Sequence, residues 1–410
     1  MANGFQRASN RRKEAKSVHL TITPHDPLVA RDARSFGEGN GARTMEWFNP
    51  SVGAGSLRSL LGKLGGGFSP EMVAALKASS TRGAFPMLGE DIFVHYPSDF
   101  VARKSDGVLF PLRPANVKIK EEGTNIPKEI CLCFPEGLAT DAEDFKPLRP
   151  PLFWSLSRME EWLVSACPAK EFAAAWKKSG GKHLPQNGFL SALPKDGRTH
   201  VRIDPTSGAS SEGMLFSTSG LTFLCETEEG VQPLQMAMTV ECVKEYLSQV
   251  AGILDAHHPM GSERRLAHWK RETEKDSRWK CPDGIRRSLV ERSRIRMILV
   301  SPAPFSEGWL PGWLKQKEEG IIGTPPGCEV KLRLVSAVTG RWQPISGWAI
   351  EQGKPQGPKA LRRMVPAGSV YFFETIGGSA GSLAEIWLKS VCDDEQDRSD
   401  GFGLALWGIW

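Results

Sequence analysis

A chain of 410 residues and 45.0 kDa has room for two or three folded units, and 40% hydrophobic with 24% charged residues is a globular composition rather than a disordered or fibrous one. Its 52 Lys and Arg against 47 Asp and Glu leave a net charge of +5, which excludes a uniformly basic surface and predicts local basic grooves. No apolar run of about 18 residues is present to span a membrane, and the polar, basic start Met1–Ser17 lacks an apolar h-region, so no secretory signal and a cytoplasmic location are expected.

Residues 1–16 hold basic side chains without apolar periodicity and read as a flexible tail, with a nucleic-acid-binding arm as the alternative. Val18 to Ile22 alternates apolar and polar up to Pro24, as a strand does. A stretch with Gly37, Gly39 and Gly41 then feeds Pro50 to Lys63, read as a helix entered from a glycine-rich loop. Ser69 before Pro70 caps the next helix, whose stripe is Met72, Ala75 and Leu76. From Pro86 to Pro151 short apolar runs broken by Pro and Gly predict short strands and loops. Ser157 with Glu160 is a capping-box pattern ahead of Trp162 and Leu163.

His200 to Pro205 predicts a strand entering a sharp turn. Residues 263–294 are so charged that they read as a linker or mobile loop, dividing an N-terminal unit, 17–262, from a C-terminal one, 295–410. In the latter, Ile295 to Val300 predicts a strand, Trp309 to Lys317 a helix, Val330 to Val338 and Gly368 to Glu374 strands, Ser382 to Val391 a helix capped by Ser382, and Gly401 to Gly408 a last strand. That order, β-α-β-β-α-β, is the ferredoxin-like pattern. Because the N-terminal part also opens β-loop-α, the expected class is α+β, two ferredoxin-like (RRM-like) domains with large loop and strand insertions. The eight cysteines include no C-x-x-C pair and no His spacing of the zinc type, so buried thiols are expected rather than a disulfide framework, and neither metal nor cofactor is called for.

Several pieces, in order, carry a resemblance: Pro24–Leu28 with Arg31–Gly37, Pro50–Arg58, His200–Pro205 with Gly213–Phe216, Gly261–Arg265, Val365–Phe373 and Gly401–Leu406. Together they resemble the third subunits of the Cmr (type III-B CRISPR) effector complex, within the RAMP superfamily, over nearly the whole chain. The resemblance implies a duplicated RRM-like fold and a non-catalytic subunit that holds the repeat-derived 5′ handle of the CRISPR RNA. It also implies two protein partners, the large polymerase/cyclase-like subunit and the RAMP backbone subunit.

The residues themselves agree with RNA binding. Phosphates are held by Lys, Arg and helix N-termini, while splayed bases stack on aromatic rings. Ser51, Gly53 and Gly55 would let a phosphate approach the main chain, with Arg31, Arg34, Arg43 and Arg58 around it; the alternative is a packed helix with small residues facing a sheet. Arg264 and Arg265, followed by His268, Trp269 and Lys270, combine charge with an aromatic face, and Lys359, Arg362 and Arg363 lie in a basic Gly/Pro loop. His200 to Asp204 is expected to hold a His–Asp or Arg–Asp pair that shapes its turn.

Two competing functions remain. One is a RAMP-type endoribonuclease with a His general base, His25 first and His257–His258 next, since metal-independent cleavage needs a base and an acid within reach of the reacting oxygens. The other is a scaffold whose many tryptophans serve protein interfaces.

Overall fold

The computed structural model describes residues 17–31, 45–115, 127, 129–138, 145–166, 170–179, 184–273, 277–349 and 357–410. The basic tail and the loop with Gly37, Gly39, Gly41, Arg34 and Arg43 lie outside them.

In the first strand, Ser17–Pro24, Leu20 and Ile22 point into the core while the residues between them stay partly open. It is flanked by Gln235–Glu241 and Leu266–Arg271, both antiparallel to it. The full eight-stranded sheet runs Asp255–Pro259, Leu266–Arg271, Ser17–Pro24, Gln235–Glu241, Ser80–Leu88, Asp91–His95, Phe153–Ser155, Phe189–Leu190. Helix α1 (Pro50–Leu64) and helix α2 (Pro70–Ala78) follow the first strand. The Ser69 hydroxyl accepts the Met72 amide at 3.2 Å, the cap expected from the sequence. Leu57, Leu60, Leu61, Met72 and Leu76 pack with Leu20, Ile22 and Met238 in one core.

Helix α3 (Leu156–Leu163) is capped by Ser155 rather than Ser157: its hydroxyl takes the Arg158 amide at 3.3 Å. With helix α4 (Lys170–Ser179) it encloses an aromatic cluster of Trp154, Trp162, Phe172, Trp176 and Phe189. Helix α5 (Glu245–Gly252) joins α1 and α2 on the first core.

Residues 263–294 are not a linker. Leu266–Arg271 is a strand inside the large sheet, with Ala267 and Trp269 buried, and helix α6 (Asp283–Glu291) buries Ile285 and Leu289. Most of the charges described there are exposed, and they conceal this apolar alternation.

The second sheet, seven-stranded, runs Leu314–Lys317, Gly320–Gly323, Lys331–Val338, Val370–Gly377, Arg294–Leu299, Leu404–Ile409, Lys389–Ser390. Two helices expected here are replaced. Leu314–Lys317 forms a hairpin with Gly320–Gly323 through Gly320 at φ +109°, and Trp309 to Lys317 contains Pro311 and Gly312, which disfavour a helix. Ala380–Ile386 is a 3₁₀ helix capped by Ser379, not by Ser382, and Leu388 at φ +52° ends the segment before a strand, so no α-helix runs to Val391. Helix α7 (Glu395–Asp400), capped by Asp394 and closed by Gly401 at φ +86°, precedes the final strand.

The two sheets share a core in which Ile295, Leu299, Phe372 and Trp407 meet Trp154, Trp162 and Phe189. A buried ion pair crosses it. Arg296 Nη1 donates to Asp99 Oδ2 at 2.5 Å with both side chains fully buried, and Trp162 Nε1 donates to Asp99 Oδ1 at 2.9 Å. Cys225, Cys242, Cys281 and Cys392 are buried, and desolvation pushes the Cys133 and Cys281 thiols up to about 11.

Candidate nucleic-acid interface

α1 begins at the junction of the two sheets. Asn49 is its N-cap residue, yet the side chain makes no capping bond, no acid lies in the first turn, and Pro50 stands at N1. The helix therefore presents an uncapped positive end.

Beside it a cavity of about 250 Å³ opens between the sheets. Trp47, Phe48, Phe85 and Phe153 form its aromatic wall, Asn49, Pro50 and Gly53 its floor at α1, and Gln343, Pro344 and Met364 the opposite side. Trp47 Nε1 donates to Ala84 O at 3.1 Å, its ring lies edge-on to Phe153 at 5.2 Å, and the Asn49 Oδ1 is buried without a hydrogen-bond partner. His95 also faces the cavity; its Nδ1 donates to Tyr96 O at 3.1 Å, and burial pushes its pKa below the usual value.

Two groups of the cations expected from the sequence lie on segments that each supply a lining residue of this cavity, Met260 and Met364, though the cations themselves do not line it. Met260, which lines it, opens the turn Gly261–Arg265, where Glu263 and Arg264 adopt φ +62° and +52°. Ser262 N donates to Val29 O at 2.9 Å and Arg31 meets Glu263 at 2.5 Å, so this turn is laid against the segment leading into residues 32–44. Arg264 is exposed, and Arg265 is partly buried with its Nε unpartnered. Opposite, the strand Arg362–Met364 pairs with Gln343–Ile345, Lys359 is exposed, and Arg363 lies over the Trp342 ring at 4.9 Å.

Arg58 and Arg362 are engaged otherwise. Arg58 is ion-paired with Asp400 and donates to Ser79 O at 2.8 Å and Ser399 O at 3.1 Å. Arg362 forms a bidentate pair with Asp397 at 2.7 and 2.8 Å, a hydrogen bond that raises its pKa further. Both acids belong to α7, which thereby holds α1 of the first half and the Arg362 strand of the second. Of the small residues, Gly53 is buried, with room for a Cβ 3.5 Å from Met238, whereas Gly55 faces open space and Ser51 is partly exposed. Gly53 thus follows the helix-packing alternative.

A more open groove of about 550 Å³ contains Arg294, Arg333 and Trp410, but also Glu129, Glu318, Glu319 and Glu374, and Arg333 is paired with Glu374 at 2.5 Å. Its mixed charge suits a polyanion less well than the cleft beside α1 does.

The family model described as CRISPR-associated protein (Cas_Cmr3) matches residues 20–410. The chain belongs to the Cas_Cmr3 family. No curated protein matches it. It is similar to a chain of the cryo-EM structure of the Type III-B Cmr-beta bound to cognate target RNA and AMPPnP, at 14% identity over 86% of each chain with a TM-score of 0.46. It is also similar to a chain of the crystal structure of the Csm3-Csm4 subcomplex in the type III-A CRISPR-Cas interference complex, at 10% identity over 89% of this chain and 97% of that one, TM-score 0.36.

In this Cas_Cmr3 chain the turn after His200 is built differently from expectation. Asp204 Oδ1 accepts the Thr206 and Ser207 amides at 2.9 and 2.8 Å, while His200 pairs with Thr218 at 2.9 Å and stacks on Phe216. Neither Arg202 nor His200 meets Asp204. Sequence reasoning named Arg264 and Arg265 but missed the aromatic wall of the cavity, for which Trp47–Phe48 directly before Pro50 was the available signal.

Proposed function

We propose that the chain is a non-catalytic, cytoplasmic RNA-binding subunit of a type III CRISPR effector ribonucleoprotein, which caps and holds the 5′ repeat-derived handle of the CRISPR RNA. In this reading it docks the large polymerase/cyclase-like subunit and the RAMP backbone subunit. Its architecture is read as two ferredoxin-like units: in the first sheet Leu266–Arg271, Ser17–Pro24, Gln235–Glu241 and Ser80–Leu88 follow the 4-1-3-2 order of that fold. The observation that carries the proposal is the cleft itself. An uncapped helix end lines an aromatic cavity in a chain of the Cas_Cmr3 family, and Arg264 and Arg265, with Lys359 and Arg363, lie on the two segments that supply its lining residues Met260 and Met364. Phosphate contacts at the rim and stacking within are the two ingredients of single-strand RNA recognition.

The test is binding of the purified chain, alone and with its large-subunit partner, to CRISPR RNA with an intact or a scrambled handle across a salt series. Handle-selective binding is expected, with Arg264→Ala/Arg265→Ala lowering the salt slope by about 0.7 for each phosphate that is no longer neutralised. Equal binding of both RNAs by the assembled pair would refute it.

One observation favours the endoribonuclease reading: His25 and His257 lie side by side, Nε2 to Nε2 at 3.1 Å. Neither has a carboxylate hydrogen-bonded to it; Asp255 is given to His268 at 2.6 Å. On the main reading, RNA incubated with the chain keeps its length in the wild type and in His25→Ala alike. A product made by the wild type and absent in His25→Ala would make the chain an enzyme.

A further inference from the structure

The three imidazoles at the edge of the first sheet form one cluster. His257 and His268 are direct cross-strand partners, their rings stacked at 4.7 Å and 25°. His25 follows the neighbouring strand, is fixed by its amide to Leu266 O at 3.0 Å, and brings its ring to 4.9 Å from His257. His268 is held in turn by Asp255 at 2.6 Å.

We infer that His25 and His257 form a two-ligand site for a borderline divalent cation of the zinc class. Their Nε2 atoms point at one another across 3.1 Å. Two nitrogens bound to one tetrahedral zinc at about 2.0–2.1 Å stand about 3.3 Å apart, so a few tenths of an ångström separate the present geometry from a bound one. Each ligand is positioned by something independent of a metal: His25 by a backbone bond, His257 by its place in the ladder and by the His268 ring against it. Asp255, hydrogen-bonded to His268 at 2.6 Å, places a carboxylate on the same strand as His257.

Among the described residues no group of three or more metal-ligating side chains converges. Two protein ligands therefore leave the remaining positions of the ion to water or to an oxygen of a bound ligand. Imidazole nitrogen selects against magnesium, and the ordinary order of divalent affinities places copper(II) above zinc.

The full-length chain, stripped with chelator and free of any affinity tag, is titrated calorimetrically with zinc, copper(II) and magnesium chlorides at pH 7.5. One zinc per chain is expected, copper(II) tighter, magnesium silent, and at least a tenfold loss of zinc affinity in His25→Ala and in His257→Ala. His200→Ala, on the separate hairpin, should bind as the wild type does. His25 is exposed and outside the regular part of its strand, so its substitution spares the fold, which a melting curve verifies. No zinc heat in the wild type, or unchanged zinc affinity in His25→Ala, would overturn the site and leave a plain hydrogen bond between two imidazoles.

Discussion

Asp99→Ala removes the acid that ties the segment after Asp91–His95 and helix α3 to the second sheet. In the wild type its carboxylate takes Arg296 Nη1 at 2.5 Å, Trp162 Nε1 at 2.9 Å and Arg113 Nη1 at 3.4 Å, and the Asp99 and Arg296 side chains are fully buried. Without it the Arg296 guanidinium keeps the Trp162 and Ser165 carbonyls and the Trp162 ring face at 5.2 Å, but no anion to balance its charge. Breaking one side of a buried pair costs about 3–5 kcal/mol. At about 2–4 °C per kcal/mol for a unit of 150–250 residues, the melting temperature should fall by roughly 6–20 °C. The surface pair Arg149–Glu46, with side chains 81% and 51% exposed, is the control: Arg149→Ala should cost no more than about 1 kcal/mol. Differential scanning fluorimetry, followed by urea titration where unfolding is reversible, reads both. Replacing both partners by apolar residues, Asp99→Leu with Arg296→Met, should recover much of the loss. A fall of less than about 2 °C in Asp99→Ala would refute the assignment of this pair as a clamp on the second sheet.

Two further outcomes follow from packing and protonation. A Cβ on Gly408 would lie 2.5 Å from Leu163 O and 2.6 Å from Leu163 Cβ at the end of α3, so Gly408→Ala should destabilise by about 1–3 kcal/mol, measured as a lowered urea midpoint; an unchanged midpoint would show that α3 yields freely. His95 has its pKa depressed mainly by burial, so the unfolded chain takes up a proton first as the pH falls below about 6.5. Stability should then decline with acidification through that window and be indifferent to His95 above it. Melting curves from pH 7.5 to 5 should show a shallower acid limb in His95→Gln, and an identical limb would remove His95 as a cause.

Local signals announced local structure. Pro50 and Ser69–Pro70 marked where α1 and α2 begin, and the alternation around Leu20 and Ile22 marked the first strand, because caps and burial periods are written in neighbouring residues. What failed was carried by distant ones. Ser382 and Glu385 imitate a capping box, but Ser379 caps the turn and Glu385 pairs with Arg286 at 2.5 Å, 99 positions away. Arg58 and Arg362 look like RNA cations in a linear reading, yet their acids come from α7, 342 and 35 positions on. The His25–His257 contact spans 232 positions, so no motif spacing could display it. Arg264 and Arg265 were legible as charge, while their place on the turn after the cavity-lining Met260 depends on the strand that the same charges disguised.

The bond between Arg58 and α7 also sets a timetable for the molecule's birth. At roughly 5–20 residues per second, the 342 positions between Arg58 and Asp400 take on the order of 17–70 s to translate. α1 can therefore be synthesised, and can pack on α2, long before the helix that anchors its Arg58 leaves the ribosome. Until α7 is made, Arg58 and Arg362 lack the acids that pair with them in the folded chain.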